Sequence, residues 1–218
     1  MRLIGMFDSP FVRRVAVSMK LLAIPFEHAN WSVGKDFDRI RQYSPLGRAP
    51  ALVLDDGEVL SESAMILDYL DQLVGPQRAL LAPGGNVRRE ALRLMALSIG
   101  AAEKGRDQIH ERVFRPPALQ YEAWIGRLQT QMHGALGELQ RCCASRDADQ
   151  WLVGDAMSQA DITFTCAYTF LNEALPAAAI AERYPRLATA AARCEQLPQF
   201  QSTHVPFFTP VPATRLPE

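Results

Sequence analysis

The sequence predicts two domains, an α/β half over residues 1–77 and an all-helical half over residues 88–205. Three observations carry this expectation. The hydrophobic period switches between strand and helix up to Leu73, prolines and glycines crowd residues 76–86 (PQRALLAPGGN), and only helical spacing follows Val87. Residues 78–87 therefore read as a linker, and residues 206–218, rich in proline, as an extended tail.

Each element follows in turn. Residues 2–6 (RLIGM) form a short strand, and Val12, Val15, Ala16, Met19 and Leu22 recur at helical spacing after Pro10. Phe26 to Ser32 suits a second strand, followed by a polar connection containing Lys35 and Asp36. Ala51 to Leu54, an Asp55-Asp56-Gly57 turn and Glu58 to Leu60 make a hairpin. Ile66, Tyr69, Leu70 and Leu73 give the next helix its buried stripe, which Gly75-Pro76 ends. In the second half, Tyr121, Trp124, Leu128, Met132, Ala135 and Leu139 continue at helical spacing, as do Leu187, Ala190, Ala191, Cys194 and Leu197. Pro116-Pro117 breaks one helix before the next.

Composition narrows the function classes. The 218 residues carry 23 Lys and Arg against 24 Asp and Glu, so the basic excess that phosphate backbones attract is missing and nucleic acid is not an expected partner. No apolar run approaches the ~20 residues of a membrane span, and Met1 leads into strand-like sequence without a signal-peptide pattern. A cytoplasmic protein is expected. Cys142, Cys143, Cys166 and Cys194 form no CxxC pair and stand at no metal-ligand spacing with histidine, so they read as free thiols and no metal is expected.

Four motifs hold the residues suited to chemistry or capping. In Ser9-Pro10-Phe11-Val12-Arg13-Arg14, Ser9 stands at the N-cap of the first helix and Pro10 at its first position. A hydroxyl there either caps the helix or joins its free N–H groups in stabilising an anion such as a thiolate. Lowering a thiol pKa by about two units takes about 2.7 kcal/mol, within reach of one or two aimed hydrogen bonds. None of His28, His110, His133 and His204 lies in a serine-centred motif, so Ser9 is not expected to be a nucleophile. Ser44 to Leu52 (SPLGRAPAL) is a loop delivering Pro50, a candidate cis-proline, to a strand, with the Ala49 N–H and C=O offered to a ligand's backbone. Leu60-Ser61-Glu62-Ser63-Ala64 opens a helix with a carboxylate, hydroxyls and free N–H groups, a site for an amino acid headgroup or merely a cap. Ser158-Gln159-Ala160-Asp161 is a capping box with a Met157–Ile162 staple, structural in role.

SPFVRRV, SPLGRAPAL and LSESAMILDYL in this order, followed by a helical domain with a SQADIT box, resemble the glutathione S-transferase superfamily over residues 1 to about 200. The resemblance implies a thioredoxin-like N-terminal domain, an all-α C-terminal domain, glutathione as co-substrate, a small apolar electrophile and a homodimer. It also implies that Pro50 is the family's cis-proline, that Ala49 pairs with the cysteinyl backbone, and that Glu62 and Ser63 hold the γ-glutamyl end. Ser9, with Phe11 beside it, would face the sulfur, while Lys35 and Arg48 would reach the glycyl carboxylate. An electrophile pocket would draw on Phe11, Arg106, His110, Phe114, Tyr168 and Asn172. Serine at position 9, where thiol oxidoreductases of the superfamily carry cysteine, implies thiolate stabilisation, and SPFVRRV departs from the S-S-C run of the zeta-like isomerases. A non-catalytic ligand-binding or scaffold protein of the same fold is the alternative.

Overall fold

The structure is a computed structural model, and residues 1–147 and 149–208 are described. The expected tail therefore lies outside the described residues from position 209 onward.

The first domain is built on a four-stranded mixed sheet in the order β2-β1-β3-β4. β1 (Arg2–Ile4) pairs in parallel with β2 (Glu27–Ala29) and antiparallel with β3 (Ala51–Val53), which forms the hairpin with β4 (Val59–Ser61). Helix α1 (Pro10–Leu21) crosses between the parallel strands, as a parallel connection requires. It buries Val12, Val15, Ala16 and Met19 against Leu3, Leu52, Ile66, Leu67 and Leu70. The last three come from α3 (Ser63–Val74). The stripe of α3 differs from the expected one, because Leu67 is buried while Leu73 is half-exposed near the end of the helix. The polar connection between β2 and β3 contains α2 (Phe37–Arg41), whose five residues bury only Ile40.

Gly5 ends β1 with φ +128°, and a Cβ there would stand 2.6 Å from Val12 Cγ2 and 2.7 Å from Ala49 Cβ. This close approach lets α1 and the loop before β3 meet over the strand end.

The second domain contains only helices among the described residues. α4 (Gly85–Phe114) begins inside the expected linker and runs to the Pro116-Pro117 break. α5 (Glu122–Ala144), α6 (Gln159–Ala174), α7 (Ile180–Arg183), α8 (Pro185–Glu195) and α9 (Pro198–Gln201) follow. α5 buries Ile125, Leu128, Met132, Leu136 and Leu139, whereas Tyr121 and Trp124 are exposed, so its stripe starts one turn later than the sequence spacing implies. α6 is buried almost all round and forms the spine of the domain.

The domains meet along α1. Arg13 makes a bidentate pair with Glu195 at 2.7 and 2.6 Å and donates to the Phe200 carbonyl. Gln159 Nε2 donates to Ser18 Oγ at 2.9 Å, and the Gln159 N–H donates to the Leu80 carbonyl. Asp71 accepts from the N–H groups of Leu80 and Leu81 and so fixes the connection between the two halves.

Candidate functional site

Three chain segments supply the site. Ser9 precedes α1 with extended backbone (φ −74°, ψ 123°), and its hydroxyl makes no capping hydrogen bond. Its carbonyl accepts from the Arg13 N–H, so the N–H groups of Phe11 and Val12 have no partner within the helix. An uncommitted hydroxyl beside two free amides at a helix start can stabilise an anion. Histidine offers Ser9 no base: His28 is bonded to the Gly5 carbonyl, His133 to Tyr184 and His204 to Glu173, while His110 lies against Phe114.

The Ala49–Pro50 peptide is cis. Ala49 lies two residues before β3, outside the strand ladder, and its N–H and C=O make no loop or cap hydrogen bond among the described residues. Glu62 sits at the start of α3 with φ 68° and ψ 121°, a conformation that costs a non-glycine residue of order 1–3 kcal/mol and marks functional positions. The Ile66 N–H bonds back to the Glu62 carbonyl, which leaves the amides of Ser63, Ala64 and Met65 without helix partners.

Arg14 is the residue that sequence reasoning did not single out. It is 2% exposed and forms no ion pair among the described residues. Its Nη2 donates to Ser63 Oγ at 2.8 Å and its Nη1 to Thr163 Oγ1 of α6 at 3.1 Å, while Nε has no partner. Burial lowers its pKa to about 10, and the nearby Cys166 and Glu62 pull the other way. Because Ser63 Oγ accepts from the guanidinium, its own proton is free to be donated to a ligand. A buried cation without a carboxylate is costly, and an anion bound at Ser63 offsets that cost. The signal in the sequence was the doubled Arg13-Arg14 within an otherwise apolar helix, and only the partners distinguish the two: Arg13 has an acid and Arg14 has hydroxyls.

Arg48 stands beside Glu62: its Nη1 lies 3.3 Å from Glu62 Oε1, both side chains being half-exposed. The physical reason is the loop from Ser44 to Pro50, which turns back beside the β4–α3 junction, where Ser61 Oγ reaches Ser44 Oγ at 3.5 Å. Lys35 is exposed before α2 and makes no ion pair among the described residues.

Of the expected electrophile pocket, the structure joins Arg106 to Phe11, with the guanidinium 5.8 Å from the ring centroid, and His110 to Phe114, edge to face at 5.2 Å. Tyr168 is mostly core instead: it is 7% exposed and packs against Phe164. Asn172 is exposed on α6. A surface groove of about 800 Å³, lined by Met1, Pro25, Phe26, Leu73 and Arg78 among others, includes none of these residues.

The SQADIT box is a cap. Ser158 Oγ accepts from the Ala160 N–H at 3.2 Å, and Asp161 accepts from the N–H groups of Ser158 and Leu152 at 2.9 and 2.8 Å. Burial raises the Cys166 thiol to about 12 and the Cys143 and Cys194 thiols to about 11, values that disfavour thiolate chemistry. Among the described residues no group of His, Cys, Asp and Glu can hold a metal, and no helix is long and apolar enough to cross a membrane.

Two family models match the chain: the glutathione S-transferase N-terminal domain over residues 3–78 and the glutathione S-transferase C-terminal domain over residues 122–193. An uncharacterised GST-like protein of Escherichia coli, YibF, is 29% identical over 79% of this chain and 82% of its own. Glutathione S-transferase U4 of Arabidopsis thaliana is 33% identical over 33% of this chain and 32% of its own. Among solved structures, a glutathione S-transferase of Methylobacterium radiotolerans in complex with glutathione sulfonate superposes with TM-score 0.86, at 27% identity, covering 100% of this chain and 98% of that one. One of Methylobacillus flagellatus with glutathione bound superposes with TM-score 0.85, at 25% identity over 97% and 99% of the two chains.

Proposed function

The chain belongs to the glutathione S-transferase superfamily, and from that premise we propose that it binds glutathione and transfers its thiolate to a small electrophile. The observation that carries the reading is Arg14, a buried guanidinium without an acid, hydrogen-bonded to the hydroxyl that opens α3. A γ-glutamyl carboxylate at Ser63 supplies the missing anion, and the free amides of α3 complete its coordination. Glu62 holds the adjoining ammonium. Its pair with Arg48 is exposed enough to be worth at most about 1 kcal/mol, so it yields to the ligand. The Ala49 backbone takes the cysteinyl peptide, which carries the sulfur to Ser9. Lys35 and the exposed surface near α2 serve the glycyl end.

In the reaction, the bound thiol loses its proton to solvent and the Ser9 hydroxyl donates a hydrogen bond to the thiolate. The sulfur then bonds to the electrophilic carbon, helped by proximity, and the displaced pair leaves with a leaving group or, for a conjugated acceptor, passes to the neighbouring carbon, which takes a proton from water. The family reading extends to a homodimer, for which the exposed Leu46, Met65 and Leu92 offer apolar surface to a second copy.

An ultraviolet difference titration with glutathione at neutral pH tests the reading. A saturable thiolate band is expected, and Glu62→Gln should raise its half-saturation about tenfold, the weight of one charge-assisted hydrogen bond. Calorimetric binding with no thiolate band would instead favour a non-catalytic binding protein, and no binding at all would remove the proposal.

Arg14→Met gives a more pointed result. The thermal midpoint should stay within a few degrees of wild type, because a long apolar side chain replaces a desolvated charge, while glutathione affinity falls about tenfold or more. A large loss of stability with unchanged affinity would make Arg14 a structural residue only.

A further inference from the structure

We propose that the electrophile this protein accepts carries a carboxylate, and that Arg106 is the residue that selects for it. The inference rests on the transferase reading and goes against the apolar electrophile that the family resemblance implies. Arg106 lies on α4 with its guanidinium 5.8 Å from the centre of the Phe11 ring, and Phe11 is two residues beyond Ser9. A cation over an aromatic face is therefore set close in the chain to the position proposed for the sulfur.

The charge of Arg106 is only partly answered. Its acid partner is the adjacent Asp107, with Nη2 and Nε at 2.8 and 3.2 Å from Oδ1, and the other oxygen of the same carboxylate is 3.6 Å from Lys104 Nζ. Two cations thus share one anion. Glu103, one turn earlier, makes no ion pair with Arg106, and Glu111 is committed to Arg115 and to the Tyr121 N–H. One turn beyond Arg106, burial and the neighbouring guanidinium lower the pKa of His110, which leaves it a neutral ring against Phe114. The face running from Phe11 along α4 therefore offers an aromatic surface, one cation with charge to spare and a neutral imidazole. A purely apolar electrophile would leave that cation with only its share of Asp107, whereas a carboxylate reaching Arg106 past the edge of the Phe11 ring accepts from the planar guanidinium fork.

For an α,β-unsaturated carboxylic acid, the thiolate sulfur bonds to the β-carbon and the π pair moves to the α-carbon, which takes a proton from water. The product is a thioether still bearing its carboxylate, and that conjugate is the probe. Calorimetry on the full chain should be run with glutathione, with S-(2-carboxyethyl)glutathione and with the isosteric S-(2-carbamoylethyl)glutathione. The wild type should bind the acid about tenfold more tightly than the amide, a difference in the range of a partly desolvated ion pair, and added salt should reduce it. Arg106→Gln should bring the ratio near one mainly by weakening the acid, and Arg106→Lys should restore part of it. Equal binding of acid and amide by a wild type that binds glutathione would overturn this inference alone. Failure to bind glutathione would remove the transferase reading and the inference with it. An acid preference that survives in Arg106→Gln would take the selection away from Arg106.

Discussion

Ser9→Ala should lower kcat about 100-fold while glutathione affinity changes no more than about threefold, the pattern of a donor whose hydrogen bond matters once charge has formed. Bound as a thiol, sulfur is a weak acceptor and loses little when the hydroxyl is removed. As a thiolate it gains a charge-assisted bond, so the loss falls on ionisation and on the transition state that follows it. The structure isolates this effect well, because the Ser9 hydroxyl caps nothing and its removal leaves the start of α1 with the bonds it already has. Turnover and the thiolate band, measured on the same preparation, make the check. If both persist in the variant, sulfur activation belongs to the amides of Phe11 and Val12.

Gly5→Ala is expected to cost about 3 kcal/mol of stability, from a backbone angle that alanine rarely adopts and from crowding in a packed interior. For a chain of this size that lowers the thermal midpoint by roughly 6–12 °C. One of the two atoms met by the new methyl is the Ala49 Cβ, which has no rotamer to escape into. The Ala49 segment must therefore shift, and glutathione affinity should fall together with stability. Gly57→Ala separates the causes. Gly57 has φ +92° but nothing within 4 Å of an added Cβ, so it carries the conformational cost without the clash. A midpoint loss as large in Gly57→Ala as in Gly5→Ala would mean that backbone conformation alone explains the first result.

The order of elements was legible because each long element repeats its apolar residues at its own period, as in Val12, Val15, Ala16 and Met19 of α1. α2 was not, since five residues with one buried side chain have no period to detect. The exposure of Leu73, which the spacing places in a buried stripe, and of Tyr121 and Trp124, which it places only in a helical repeat, was not legible because spacing cannot say where an apolar stripe passes beyond the element it packs on. Ser9, Ala49, Glu62 and Ser63 could be nominated as candidates from local motifs alone. Arg14 did not, because its meaning depends on Thr163, which is far along the chain, and on the lack of an acid that Arg13 enjoys. The Arg48–Glu62 pair was not legible for a related reason: a loop read from sequence offers its charge to several neighbours until its fold-back is known.

The contacts that α1 makes with the second domain bear on cooperativity. Arg13, Arg14 and Ser18 reach Glu195, Thr163 and Gln159 respectively, so the helix that Ser9 opens also carries three polar anchors to the other half of the chain. Taken alone, residues 1–77 would present two adjacent guanidinium groups stripped of those partners on a helix that must also hold the sheet together. The break near residue 77 is thus a boundary in sequence and not in stability. The halves are expected to melt as one unit, and a mutation deep in α6 is expected to reach the proposed glutathione site through the orientation of α1 rather than through contact with a ligand.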